Sequence, residues 1–547
     1  MAEKEIGTNR AEACCKKVQQ LNYYVKVSVS QESLSTDESI KAAKLEDYDV
    51  LILTEATLST QKLVDDYCRK NNTKFIAADV NGVFCRIFND FGDEFEVIDK
   101  NGDEIKELMI KNITIEKEGL ITLQDGFDHN YEDGDEITIE KVEGMTNQDG
   151  KSINGTIHKI LTVSPTSFKI GDTTGYSEYE YNGSVKQLKT KLMMKFTPLS
   201  DIGLTDVPHD ENLMMSDFEK MDHHDFSHYC YYTVDEIKKE GKYNTIKDWN
   251  NESFQEFGDL FEEKLKTGLS EETWKKCIED PKFIKFSSTY CVVNHGSFNP
   301  LCAFIGGVAS QEAIKAITSK FVPIKQFFYY DSIEVTPDFK IETKESFEAD
   351  MEKLGFFNNP DDRYTGLRAC IGTDLLSRIQ ECNLFMIGAG AIGCELLKNY
   401  ALLGAGSQKK GSILVTDPDI IEVSNLNRQF LFREKHLRKA KSVTAAAAAI
   451  HMNPDMKGKI IARLDKIHKG TDDTYSQDFY KSLTMVTNAL DNVAARRYLD
   501  GQCVKARIPM IDSGTLGPKG HIQVVLPDQT DSYGSTNDAE DTNEIPH

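Results

Sequence analysis

"NLFMIGAGAIGCELLKNYALLG", Asn383 to Gly404, passes from a short apolar run through three glycines into helix-forming sequence. The run "LFMIG" reads as a buried strand ending at Gly388. The spacing of Gly388, Gly390 and Gly393 is that of G-x-G-x-x-G, which permits a tight turn and close approach of backbone to a ligand phosphate. A helix beginning near Ala391 offers free N–H groups and the positive end of its dipole to an anion. Strand, glycine turn and helix in this order predict an α/β layer that holds a nucleotide at the carboxyl ends of its strands, the competing reading being a tight strand-to-helix turn with no ligand. Which nucleotide is decided by residues further along.

A second strand, "SILVTD", ends at Asp417, an acid placed to accept bonds from both ribose hydroxyls. NAD and ATP fit equally to this point. In "SNLNRQFLF", Ser424 to Phe432, and "HLRKAKSVTAAAAAI", Arg428 and Lys441 flank a polar loop and the start of an alanine-rich helix. Two cations with amides at Asn425 and Gln429 suit a triphosphate, Arg binding phosphate as a fork and Lys as a point charge. The competing reading of Arg428 is a surface ion pair with Glu422 or Glu434. The third strand, "VTNALDN", ends with Asp491, where a carboxylate can hold Mg²⁺ bridging ATP phosphates. Asp419, two residues after Asp417, can reach the same ion. Helix N-capping is the other reading of Asp491, because "DNVAARRYL" begins a helix. The set together favours ATP with Mg²⁺ over NAD.

At 547 residues the chain is too long for one core and predicts three or four domains. Its net charge of -24 argues against a general nucleic-acid binder, which would show a basic face. The start, "MAEKEIGTNRAEACCKK", has no secretory h-region, and no window reaches the roughly 18 apolar residues of a membrane span. These features predict an intracellular protein without a membrane segment. The twelve cysteines form no C-x-x-C pair and read mostly as buried thiols.

Residues about 47 to 92 read strand, helix, strand, strand, and residues about 482 to 527 repeat that order. Aligning Thr54-Glu55-Ala56 with Thr487-Asn488-Ala489 puts Leu58 opposite Asp491, so only the second copy carries an acid at this strand end. From about 94 to 197, short alternating runs separated by turns such as "EDGD" and "YNGS" predict a small antiparallel barrel or sandwich. Within it, "DKNGDEIKELMI" fails as a calcium loop, with Glu104 where Gly is needed and Ile110 where Glu is needed, and reads as a hairpin turn. From about 198 to 286 the pattern is helical, with caps predicted at Asn251 and Ser270 and both tryptophans inside. "DHHDFSHYC" sets His224 and His228 four apart, a zinc-capable spacing without a complementary pair, so solvated polar residues are the preferred reading. An apolar helix and a strand follow to about 335, returning to the α/β pattern.

The motifs "GAGAIGCELLKN", "VTDPDIIEVSNLNRQFLF", "NALDN" and "SGTLGPKGHIQVV" resemble the active adenylation domain of the ubiquitin-activating enzymes. The resemblance covers essentially the whole chain and is loosest between 94 and 286. It implies an α/β fold of two Rossmann-like adenylation domains, inactive and active, the first interrupted by a small β-barrel and a helical bundle. The implied divisions are an inactive domain at 1–93 and 287–340, a first catalytic-cysteine half-domain at 94–197, a four-helix bundle at 198–286 and an active domain at 341–547. It further implies that Asp417 binds ribose, that Asn425, Arg428, Gln429 and Lys441 contact the triphosphate, that Asp419 and Asp491 serve Mg²⁺, and that Asn492 lies at the nucleotide beside Asp491. The implied reaction joins the C-terminal carboxylate of ubiquitin to ATP as an adenylate, with Arg428, Lys441 and Asp491 supplying the catalytic charge. Ubiquitin and ubiquitin-conjugating enzymes are the implied partners, and cytoplasm and nucleus the implied location. The family's inactive domain normally opens with a strand and helix bearing an arginine that reaches the active site. This sequence begins after that segment, and Arg10 in "GTNRAE" is not that arginine. "TNEIPH" resembles the stretch just before the family's catalytic cysteine, so the thioester step and docking of conjugating enzymes are not expected of these residues. A non-catalytic ATP- or ubiquitin-binding module and an NAD-dependent oxidoreductase are the alternatives.

Overall fold

The strand β1 (Val50–Thr54), helix α1 (Leu58–Lys70) and strands β2 (Lys74–Asn81) and β3 (Phe84–Asp90) form the first α/β layer, joined by β4 (Phe327–Asp331) from far along the chain. These elements belong to a computed structural model that describes residues 5–102, 104–207, 218–242, 251–337, 362–516 and 519–535. The sheet order is β1-β2-β3-β4, with β1 parallel to β2 and the later neighbours antiparallel. Thr57 caps α1 by accepting from the Thr60 amide, and Val64 and Cys68, four apart, turn one face of that helix into the core. Helix α2 (Asn299–Thr318) covers the opposite face with Leu301, Ile305, Ala309 and Ala316.

The second layer is a six-stranded sheet in the order β7-β6-β5-β8-β9-β10. Its strands are β5 (Asn383–Ile387), β6 (Ser412–Thr416), β7 (Ile460–Arg463), β8 (Met485–Asn488), β9 (Met510–Leu516) and β10 (Lys519–Val525). All neighbours are parallel except the β9–β10 hairpin. The chain leaves β5 towards β6 and β7 on one side, then returns to β8 on the other. The reversal creates a crevice at the carboxyl end of β5, where ligands of such sheets bind. Helices α3 (Ala391–Leu403), α4 (Lys441–Met452) and α5 (Val493–Ala506) cover the sheet. The run β8–α5–β9–β10 repeats β1–α1–β2–β3, parallel pair followed by hairpin, as the aligned segments predict.

Between β3 and β4 along the chain, residues 107–188 form antiparallel strands around a core that includes Leu108, Ile121, Ile137 and Phe168. One run serves both ends of this sheet. Ile157–Lys159 pairs with Glu136–Glu140, and Leu161–Ser164 pairs with Ser167–Lys169, so the strand order closes on itself. "DKNGDEIKELMI" is a turn, with Asp99 Oδ1 accepting from the Gly102 amide at 3.0 Å. It is not a hairpin: the strand before it pairs with Leu192–Met194 and the strand after it with Leu120–Leu123. Asp103 lies outside the described residues.

The helices His223–Lys239, Asn251–Gly268, Glu271–Glu279 and Pro281–Val293 share a core built on Phe226, Phe257, Phe261, Phe283, Phe286 and Tyr290. Ser270 caps its helix as expected; the side chain of Asn251, and Trp249, lie outside the described residues. His228 corrects the sequence reading. It is fully buried rather than solvated, with Nδ1 2.8 Å from the Tyr329 hydroxyl and Nε2 2.9 Å from the Gly203 carbonyl. Both ring nitrogens are thus engaged, and burial pulls its pKa down to about 4. A neutral, doubly bonded ring has no lone pair to offer zinc. Among the described residues no helix is long and apolar enough to cross a membrane. The expected boundary near 340 and the tail "TNEIPH" lie outside the described residues.

Candidate functional site

The glycine turn sits at the reversal point of the second sheet. Gly388 has a φ of 97°, and a Cβ there would stand 2.6 Å from the Ala489 carbonyl oxygen, so only glycine lets the end of β5 meet the end of β8. A Cβ on Gly393 would lie 2.2 Å from the Gly388 oxygen, so this glycine lets α3 pack onto its own strand. Gly390 is different. A Cβ there would meet only Gln429 Nε2, at 3.8 Å, so its backbone faces open space. Gly390 caps α3 without any side-chain acceptor, leaving the first-turn amides from Ala391 directed at that space. Helix α4, which begins at Lys441, is likewise uncapped by a side chain.

Asp417, at the end of β6, is buried, and each of its oxygens accepts a backbone N–H, from Ala389 at 2.7 Å and Asp419 at 2.8 Å. Burial raises its pKa, while these two amides and the Lys441 charge act in the opposite direction. The acid therefore braces the glycine turn in addition to any contact with a sugar. Asn425 is buried and its Oδ1 accepts from the Glu422 amide at 2.9 Å. Gln429 is only 4% exposed, and its Oε1 has no hydrogen-bond donor among the described residues. A buried amide oxygen left in this condition costs about 1–3 kcal/mol. The amide nitrogen of the same side chain is the atom nearest the position a Gly390 Cβ would take, so a donor faces the open side of the glycine turn.

Arg428 is exposed and pairs with no carboxylate among the described residues, so neither Glu422 nor Glu434 neutralises it. It donates instead to the Ser424 carbonyl at 2.9 Å and Asn427 Oδ1 at 3.1 Å. Lys441 Nζ lies 2.8 Å from Asp419 Oδ2, with 12% of the lysine side chain exposed and 64% of the aspartate. Asp491 is exposed and has no hydrogen-bonded or ionic partner among the described residues. It is not the helix cap; that position belongs to Asn492, whose Oδ1 accepts from the Ala495 amide at 3.0 Å. The structure thus brings Gly388, Gly390, Gly393, Ala391, Asp417, Asp419 and Lys441 together around one turn, with Gln429 beside Gly390 and the β8 end that leads to Asp491 packed on Gly388.

The sequence reading missed Arg496. Its guanidinium is buried in α5 and donates to the Leu490 carbonyl, to the Ser513 carbonyl at 3.0 Å and to Asp512 at 2.8 Å. Asn488 Nδ2 holds the other oxygen of Asp512 at 2.6 Å. A signal was present: Arg496 shares a helix face with the fully buried Leu499 and Cys503, three and seven residues on.

The donor set fits a magnesium nucleotide. Asp419 and Asp491 are carboxylates of the type a hard cation takes together with substrate phosphates. No cluster of three or more His, Cys, Asp or Glu side chains placed to hold a metal occurs among the described residues.

A glycine turn at the reversal point and an acid at the end of β6 define an α/β layer of the kind that takes ligands at its strand ends. Residues 364–546 match the ThiF family and residues 116–189 the ubiquitin-activating enzyme E1 FCCH domain. The chain is 39% identical to ubiquitin-like modifier-activating enzyme 6 of Mus musculus, over 97% of this chain and 48% of the relative. It is 36% identical to ubiquitin-activating enzyme E1 1 of Candida albicans, over 98% of this chain and 50% of the relative. It is 35% identical to ubiquitin-like modifier-activating enzyme 1 of Homo sapiens, over 98% and 48% respectively. The chain belongs to the ubiquitin-activating enzyme family and spans about half the length of the curated relatives it matches.

Proposed function

We propose that this chain carries the site that activates ubiquitin, or a ubiquitin-like modifier, with ATP. A carboxylate oxygen of the modifier's C-terminus attacks the α-phosphorus of ATP. The bond between that phosphorus and the bridging oxygen breaks, and pyrophosphate leaves. An anion must approach a polyanion, so the contribution asked of the protein is fixed positive charge and positioning rather than a general base. Under this reading the amides of α3 and the side chains of Arg428 and Lys441 neutralise phosphate oxygens. Asp417 braces the turn and meets the ribose, Asn425 and Gln429 direct polar groups at the phosphates, and Asn492 fixes the turn carrying Asp491. Asp419 and Asp491 would hold Mg²⁺, which supplies Lewis-acid neutralisation of phosphate charge when bound. The two layers are read as Rossmann-like adenylation domains, the first without nucleotide chemistry, with the closed antiparallel sheet and the helices inserted into it. The wider reading includes ubiquitin-conjugating enzymes as partners and action in cytoplasm and nucleus.

The observation that carries this proposal is the open backbone of Gly390 at the uncapped start of α3, with the Gln429 side-chain amide nitrogen, a donor, beside it. Arg428, which pairs with no carboxylate among the described residues, and the Lys441 charge favour a triphosphate over the dinucleotide of an oxidoreductase. Modifier-dependent ATP–pyrophosphate exchange tests it. Exchange that requires added ubiquitin supports adenylation; binding of both ligands without exchange marks a non-catalytic module, and NADH competing with ATP marks an oxidoreductase.

A further inference from the structure

The two layers share a clamp. In the first, Gln61 of α1 donates to the Ala56 carbonyl at 2.8 Å and to Asp79 Oδ2 at 3.0 Å, tying the turn after β1 to a buried acid on β2. In the second, Arg496 of α5 ties the turn after β8 to Asp512 on β9. The acids correspond. Thr54 pairs with Ala78 and Thr487 with Ile511, and Asp79 and Asp512 each follow by one residue. The second clamp reaches further, because the arginine fork also holds the Ser513 carbonyl, and Gly514 leaves room for it. A Cβ on Gly514 would stand 2.7 and 2.9 Å from the guanidinium nitrogens.

What differs is the cargo. The first turn ends in the buried, apolar Leu58, whereas the second carries Asp491, whose carboxylate has no partner among the described residues to orient it. Its placement rests on the backbone, and the Leu490 carbonyl gripped by Arg496 belongs to the residue immediately before it. We propose that Arg496 is a positioning residue that sets the direction of the Asp491 carboxylate towards the metal-nucleotide. The proposal rests on the nucleotide reading above and adds a residue to it. Its nearest analogue in general chemistry is the outer group that orients a metal ligand, whose loss lowers metal affinity or activity by about 10–100-fold.

The test measures affinity of the full chain for ATP by calorimetry with and without Mg²⁺, in wild type, Asp491→Asn, Arg496→Lys, Arg496→Gln and the Asp491→Asn/Arg496→Lys double variant. Arg496→Lys keeps a charge beside Asp512 but cannot fork to Leu490 and Ser513 together. It is expected to lower the Mg²⁺ enhancement of ATP affinity about tenfold and to leave metal-free affinity unchanged. It should add nothing to Asp491→Asn in the double variant. In the first layer Gln61 acts beside Arg86, which pairs with Asp79 at 2.8 Å, so Arg496→Gln, which takes the arginine away from Asp512, should lose at least as much of the enhancement as Arg496→Lys. An Arg496→Lys variant that keeps the full enhancement overturns the proposal. So does one that loses affinity equally with and without Mg²⁺, or additively with Asp491→Asn, since a purely structural clamp behaves in that way. A wild-type chain that binds ATP in neither condition removes the nucleotide reading itself, an outcome separate from failure of the clamp alone.

Discussion

Lys441 and Asp419 neutralise each other across 2.8 Å. The lysine is the cation assigned to the phosphates and the aspartate one of the acids assigned to the metal. Under the proposed reading a phosphate at Lys441 and a cation at Asp419 would each compete with this pair.

Removing the acid should free the cation. Asp419→Asn is expected to strengthen metal-free ATP binding by about two- to fivefold, the range of a partly exposed pair, and to weaken the gain on adding Mg²⁺. Calorimetry with and without EDTA measures both. Weaker metal-free binding in the variant would show that the pair does not restrain Lys441.

Asp491→Asn is expected to lower Mg-ATP-dependent pyrophosphate exchange by roughly 10²-fold while shifting the melting temperature little. The side chain is exposed and Asn492, not Asp491, caps the helix. Unchanged exchange kinetics would remove the residue from its assigned role.

The glycines separate into two kinds. Gly393→Ala forces a Cβ against the Gly388 oxygen and should destabilise the second layer by about 1–3 kcal/mol. Gly390→Ala meets nothing closer than 3.8 Å and should melt normally, but it should lose nucleotide affinity because the added methyl occupies the phosphate approach. Melting curves and ATP titrations of the two variants should therefore show opposite defects.

The first layer carries a pH-dependent element at Asp65. It is fully buried, with Oδ2 accepting from the Leu199 amide at 2.8 Å. Burial first, then the neighbouring Asp90, push its pKa far above the ordinary carboxylate range, against the Leu199 bond and Arg69. With the folded pKa raised, the folded state binds more protons than the unfolded state. The contribution to stability is therefore fully present below the unfolded pKa and is lost as pH rises through the folded one. Asp65→Asn keeps the acceptor for Leu199 without the charge. It should melt higher than wild type at pH 8.5, with the difference shrinking towards pH 4. A constant difference across that range would count against ionisation as the cause.

The centre of the site was legible because its residues are close in sequence to the ends of strands. "IGAGAIG", Asp417 and Asp491 each follow an apolar run, and a parallel sheet gathers such ends on one edge. What could not be read was which partner a side chain takes once the chain has folded. His228 looked solvated because its neighbours in sequence are polar, yet its partners Gly203 and Tyr329 are 25 and 101 residues away. Arg496 reaches Asp512 and Ser513 across the sheet edge, and the spacing of "DNVAARRYL" contains neither. Asp491 was open to a capping role because Asp and Asn cap equally well; one residue of register decided for Asn492.

The eight residues 157–164 bond to one neighbour through their first half and to another through their second, and so join both ends of the antiparallel sheet. A sheet that depends on a single splice has one point of failure. A proteolytic nick or an inserted residue near Ile160 would bare two rows of backbone donors and acceptors at once. Each such row is a template for pairing with another chain, so damage confined to this segment would make a closed sheet into a seed for aggregation.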